Sequence, residues 1–199
     1  MPENRQKQLE KIAQQIRDLK ESPLYQYRKD NNYHPVLGEG DPHTRIVFIG
    51  EAPGKQEAKT GRPFVGAAGR ILDQLIESIC LQRDQVYITN IVKDRPPNNR
   101  DPRTDEIELY APFLLRQIDI IKPPVIATLG RFSMDFILAH FDMDQQGQRI
   151  GKLHGQVLKA NTSYGKISVV PLYHPAAALY NNQLRDTIEA DFQVLKQFL

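Results

Sequence analysis

Apolar residues recur along this chain in two rhythms. Four short runs are continuously apolar or β-branched: Ile46-Val47-Phe48-Ile49, Val86-Tyr87-Ile88-Thr89, Val125-Ile126-Ala127-Thr128-Leu129 and Ile167-Ser168-Val169-Val170-Pro171-Leu172. Runs without polar alternation predict strands covered on both faces, as in a parallel sheet. Between them the spacing changes to three and four. Leu9, Ile12, Ile16 and Leu19 predict a helix over residues 3–20, and Ile71, Leu72, Leu75, Ile76 and Ile79 predict one that begins near Gly66. Ile107, Tyr110, Leu114, Ile118 and Ile121 predict a third, stopped by Lys122-Pro123-Pro124. A fourth covers residues 131–140, and Leu184, Ile188, Phe192, Leu195 and Phe198 stripe the last.

Strands that alternate with helices imply an α/β fold: a three-layer α/β/α sandwich around a four-stranded, mainly parallel sheet. Residues 21–45, with Pro23, Pro35 and Pro42, predict an irregular lead-in packed on the body, its tyrosines Tyr25, Tyr27 and Tyr33 included. Residues 142–165 predict turns or a short antiparallel excursion. At 199 residues and 40% hydrophobic, one domain is expected over 1–199, with the helix and lead-in of 1–44 lying against it.

Composition narrows the chemistry. A net charge of +2 gives the whole chain little pull on a polyanion, so contact with nucleic acid needs local clustering. The single cysteine, Cys80, excludes an intramolecular disulfide and a four-cysteine metal site. His34, His43 and His140 lack ligand spacing, and no metal is expected. The polar N-terminus and the lack of a long apolar segment predict a cytoplasmic protein without membrane contact.

Ligands of open α/β sheets sit beyond the carboxyl ends of the strands. Three of the predicted strands end there in reactive groups, Glu51, Asn90 and His174, with the Phe64 ring on a nearby turn. A carboxylate can orient a water. An amide offers a donor beside an acceptor, as reading the edge of a base requires, and an imidazole can hydrogen-bond a developing anion. Gly54-Lys55 is no phosphate-binding P-loop, because the Gly-x4-Gly-Lys-Ser/Thr spacing is missing. The N-terminus of the helix at Gly66 has backbone N–H groups suited to a phosphate. The loop 93–102 carries Lys93, Arg95 and Arg100.

Five ordered segments carry a resemblance: Gly50-Glu51-Ala52-Pro53-Gly54; Gly61-Arg62-Pro63-Phe64-Val65-Gly66; Ile88-Thr89-Asn90 leading to Arg95-Pro96-Pro97; Leu129-Gly130; and His174-Pro175 followed by Leu179. Over residues 18–195 the chain resembles the family 4 uracil-DNA glycosylases. The resemblance implies a monofunctional glycosylase that hydrolyses the N-glycosidic bond of uracil in DNA and leaves an abasic site, in base excision repair. By it Phe64 stacks on an extruded uracil, Asn90 bonds its polar edge, His174 stabilises charge on O2 and Glu51 positions the water. Gly50, Ala52, Pro53 and Gly54 line the pocket. Arg62, Gly66, Ala67, Arg95, Arg100, Pro175 and Arg185 face DNA, with Leu179 the wedge and the partner single- or double-stranded. A monomer, associated with the nucleoid of a prokaryote, is expected.

One departure from the family is plain. Its members usually hold a [4Fe–4S] cluster on four cysteines, and the aligned positions here are Leu19, Ser22, Asp94 and Tyr110. No cofactor is expected, and apolar and aromatic packing by Leu19, Leu24 and Tyr110 is predicted in its place. The alternatives are a glycosylase for another base, such as hypoxanthine, xanthine or a 5-substituted uracil, and a DNA-binding homologue without catalysis.

Overall fold

In the computed structural model, which describes residues 4–199, the four apolar runs form the centre of one sheet. In chain order the elements are α1 (Arg5–Arg17), α2 (Tyr25–Asp30), β1 (Glu39–Gly40), β2 (Ile46–Gly50), α3 (Lys55–Thr60), α4 (Ala67–Ser78) and β3 (Tyr87–Asn90). There follow α5 (Thr104–Ile121), β4 (Val125–Leu129), α6 (Arg131–His140), α7 (Ile150–Leu153), β5 (Leu158–Thr162), β6 (Gly165–Leu172) and α8 (Asn182–Gln193).

The strand order is β1-β3-β2-β4-β6-β5. The expected four-stranded sheet is thus corrected to a mixed sheet of six. Its four central strands pair in parallel, and an antiparallel strand lies at each edge. The additions have physical reasons. β1 has only two residues, in a glycine-rich segment without periodicity, where Gly40 lies so close to Val86 that a Cβ would meet its carbonyl oxygen at 1.8 Å. β5 alternates buried Leu158 and Ala160 with exposed Lys159, the mark of a strand wet on one face.

Each face of the sheet has its own core. Ile118, Ile121, Met134 and Ile137 of α5 and α6 pack on Val47, Ile49, Ile126 and Val169. On the other face Leu72, Leu75, Ile188 and Phe192 of α4 and α8 pack on Phe48, Ile88, Ala127 and Val170. Phe48 and Phe192 stack with centroids 5.7 Å apart.

α1 starts at Arg5, where Asn4 caps it, and stops at Arg17; the expected start at Glu3 lies outside the described residues. Its buried Ile12 and Ile16 form a third cluster with Leu24, Val92 and Tyr110. The lead-in is more regular than expected because α2 forms within it.

From β2 the chain crosses to β3 on one side, then returns past β2 to β4 on the other. The carboxyl ends of β2 and β4 therefore border a topological switch point, where an open sheet leaves a crevice. Glu51 follows β2 and Gly130 follows β4. Asn90 closes β3, paired with Gly50, and His174 lies two residues past β6.

Candidate active site

These strand ends bring Asn90, Phe64 and His174 together, with Glu51 directly after Gly50 at the adjoining strand end. Asn90 is only 2% exposed, and its Oδ1 is buried without a hydrogen-bond partner. Gly50 leaves the space that this carbonyl and the Phe64 ring share: a Cβ there would lie 2.3 Å from Asn90 Oδ1 and 2.7 Å from Phe64 Cζ. The Phe64 and His174 rings are 5.6 Å apart and tilted by 30°. Glu51, Ala52 and Gly54 are half-buried and Pro53 is buried.

The two titratable groups are shifted in useful directions. Burial holds His174 down to about 4, against the opposing pull of the Glu57 carboxylate, so the imidazole is neutral at neutral pH. Its Nδ1 accepts from the Ala176 N–H at 3.2 Å, which leaves the proton on Nε2 as a free donor. Burial also raises Glu51 to about 7; the Asp101 carboxylate adds to the rise and the Arg131 guanidinium opposes it.

The turn under Phe64 is strained. Phe64 has φ 48°, a left-handed conformation that costs a residue with a Cβ about 1–2 kcal/mol. Groups that the sequence did not single out hold it there. Glu57 Oε1 accepts from the N–H groups of Val65 (2.9 Å) and Gly66 (2.8 Å). Arg83 donates to the carbonyls of Pro63 and, at 3.1 Å, Phe64. Gly69 lets α4 press on the turn, since a Cβ there would lie 2.0 Å from the Phe64 oxygen. Glu57 thus occupies part of the helix start, beside Gly66 and Ala67, that suits a phosphate.

Lys93 also differs from expectation. It is fully buried, with Nζ donating to Thr89 Oγ1 (2.8 Å), the Asn90 carbonyl (2.7 Å) and Gln117 Oε1 (2.7 Å). It anchors the end of β3 and is closed to DNA. The four cations expected to meet DNA all have intramolecular partners. Arg62 forms a two-bond pair with Glu39, Arg100 another with Glu106, and Arg185 reaches Glu189 at 3.3 Å. Arg95 donates to the hydroxyls of Tyr27 and Tyr33. Pro175 is buried, whereas Leu179 is 41% exposed and the next residue, Tyr180, 90%. Tyr180 gives no periodic signal because it is almost wholly exposed.

The description "Uracil DNA glycosylase superfamily" belongs to the sequence profile that matches residues 37–196. The chain belongs to the uracil DNA glycosylase superfamily. It is 49% identical over 190 residues to a type-4 uracil-DNA glycosylase of Sulfurisphaera tokodaii, an alignment that covers 95% of this chain and 84% of the relative. Against the type-4 uracil-DNA glycosylase of Archaeoglobus fulgidus the identity is 43% over 185 residues, covering 93% and 90%. For that of Thermotoga maritima it is 39% over 197 residues, covering 98% and 96%.

At the positions that the resemblance matches to iron–sulfur cysteines, the residues present do not fit a cluster. The one cysteine, Cys80, is exposed just past the end of α4. At the aligned positions stands a buried polar network instead. The Arg28 guanidinium, 5% exposed, bonds both oxygens of Asp94 at 3.2 and 3.1 Å. The Tyr110 hydroxyl bonds Asp94 Oδ2 (2.6 Å) and Ser22 Oγ (2.8 Å). Arg28 also donates to the carbonyls of Ile16 and Arg17 at the end of α1. The expected packing of Leu24 and Tyr110 surrounds this network and Leu19 lies at its margin, but the centre is ionic.

Proposed function

We propose that this protein removes uracil from DNA by hydrolysing the bond between uracil N1 and the deoxyribose C1′. The unpartnered Oδ1 of Asn90 carries the proposal. A buried acceptor without a partner costs about 1–3 kcal/mol, which a ligand's N–H recovers on binding. Uracil has a donor at N3 beside an acceptor at O4, complementary to the Asn90 oxygen and amide nitrogen. Cytosine has the reverse pair and leaves both groups opposed.

The roles follow from the chemistry of the leaving group. Phe64 stacks on the extruded base and offsets part of the few kcal/mol that extrusion costs. As the C1′–N1 bond breaks, its electron pair passes to uracil and negative charge gathers on O2. His174 Nε2–H donates to that oxygen, a contribution of about 3 kcal/mol for one well-placed donor. Water bonds to C1′, and its proton passes to the ionised Glu51. Gly50, Ala52, Pro53 and Gly54 wall the pocket. Leu179 wedges the space left by the base, and Arg62, Arg95, Arg100 and Arg185 face the phosphates with Gly66, Ala67 and Pro175, after exchanging their present partners.

The same proposal covers one domain over residues 1–199, a three-layer body with residues 1–44 packed on it, supported by the hydrophobic cores on both faces of the sheet. It acts as a monomer on single- or double-stranded DNA, in the cytoplasm and at the nucleoid. Among the described residues no helix is long and apolar enough to cross a membrane. The test is release of base from oligonucleotides that carry uracil, hypoxanthine or xanthine, followed by alkaline cleavage. Cleavage at uracil in the wild type, lost in Asn90→Ala, supports the proposal. DNA binding with no cleavage at any base would make the protein a binding module.

A further inference from the structure

The Pro63 and Phe64 carbonyls of the strained turn converge on one side chain. Arg83 lies in the short turn between α4 and β3, about twenty residues after Phe64 in the chain. Its Nη1 donates to the Phe64 carbonyl at 3.1 Å and to Asp73 Oδ1 at 2.8 Å, and its Nη2 donates to the Pro63 carbonyl. Its Nε faces Glu39 at 3.7 Å. Glu39 also grips Arg62, the residue before Pro63, through two hydrogen bonds of 2.7 and 2.6 Å. All three nitrogens of the guanidinium therefore face partners within this chain.

We infer that Arg83 is a positioning residue for base recognition: fastened by Asp73 and Glu39, its guanidinium holds the Pro63 and Phe64 carbonyls and keeps the Phe64 ring in place. This rests on the stacking role proposed for Phe64. A backbone at φ 48° relaxes towards negative φ unless its surroundings forbid it. Glu57 restrains the N–H side of the turn and Arg83 the carbonyl side. A planar fork can serve two adjacent carbonyls and a carboxylate together, whereas a lysine ammonium is a point charge without that geometry. Without Arg83 the ring loses its fixed distance from His174 and from the wall at Gly50.

A double-mutant cycle tests this on a single-stranded uracil oligonucleotide, which removes duplex wedging from the measurement. The cycle uses wild type, Phe64→Ala, Arg83→Ala and the double variant, with Arg83→Lys alongside and melting temperatures recorded for all. Phe64→Ala is expected to lower kcat/KM about 10- to 100-fold, the range of base–aromatic stacking. Arg83→Ala is expected to lower it about 10-fold and to weaken inhibition by free uracil by a similar factor, with Arg83→Lys in between. In the Phe64→Ala background the loss of Arg83 should cost less than about 2-fold. An equal fold loss in both backgrounds would mean that Arg83 acts through general stability and would overturn the inference. So would unchanged kinetics in Arg83→Ala while Phe64→Ala is impaired, which leaves the stacking role standing. An unimpaired Phe64→Ala would sink the stacking role and the inference with it.

Discussion

Replacing Arg28 by methionine should be among the most damaging substitutions outside the active site. The guanidinium is 5% exposed and its partner Asp94 1% exposed, so the carboxylate left behind has no route to water. Breaking a buried pair by removing one partner costs about 3–5 kcal/mol. Tyr110 still donates to Asp94 at 2.6 Å, which favours the lower end, whereas the carbonyls of Ile16 and Arg17 lose a donor, which adds about 1 kcal/mol. The sum is about 4 kcal/mol, equivalent to a fall of about 8–16 °C in Tm for a chain of this size. Thermal and urea unfolding measure it. Arg28→Met combined with Asp94→Leu should recover most of the loss, because an apolar pair of similar volume replaces a buried ion pair at little cost. Uracil release below the transition should stay within about 3-fold of wild type in both variants. A single variant within 1 kcal/mol of wild type, or a double variant as unstable as the single, would refute the view that this ion pair ties the end of α1 and α2 to the loop after β3.

Four further outcomes follow from the site. Uracil release should rise with pH to a plateau above about 7 as Glu51 ionises, without a second limb from His174 down to about 4; Glu51→Gln should be slow and flat between pH 5 and 8. The folded Glu51 holds its proton more tightly than the unfolded chain does, so it destabilises the fold progressively from about pH 4.5 to 7 and fully above; Glu51→Gln should therefore raise Tm at pH 8 and leave it nearly unchanged at pH 4. His174→Ala should lower kcat about 10²- to 10³-fold, and Gly50→Ala, whose new methyl overlaps Asn90 Oδ1 and Phe64 Cζ, should lower kcat/KM at least 10-fold with Tm reduced by a few degrees.

The central strands were legible because burial on both faces leaves continuous apolar runs, and the boundaries of β4 and α6 fall where their patterns end. β1 was not, since a two-residue edge pair leaves little trace in hydrophobicity; β5 falls within the antiparallel excursion expected over 142–165, though its half-exposed pattern did not fix its bounds. Glu51, Asn90, Phe64 and His174 stood out because each interrupts an apolar strand end or occupies a glycine-flanked turn. Glu57 and Arg83 carry no such mark: each acts through backbone groups distant along the chain, and a charged residue on a helix or turn looks solvated until the fold brings its partner close. The burial of Lys93 and Asp94 is hidden for the same reason: they stand in a polar stretch of sequence, and Gln117, Tyr110 and Arg28, which partner them, are distant along the chain.

The central claim is that Asn90, Phe64, His174 and Glu51 share one pocket sized for a single pyrimidine. A crystal structure of the protein with free uracil tests it most directly. The account predicts the uracil ring lying on Phe64, Asn90 bonding N3 and O4, and His174 Nε2 within about 3 Å of O2. Uracil bound anywhere else, or within this crevice but away from the Asn90 amide, would contradict it.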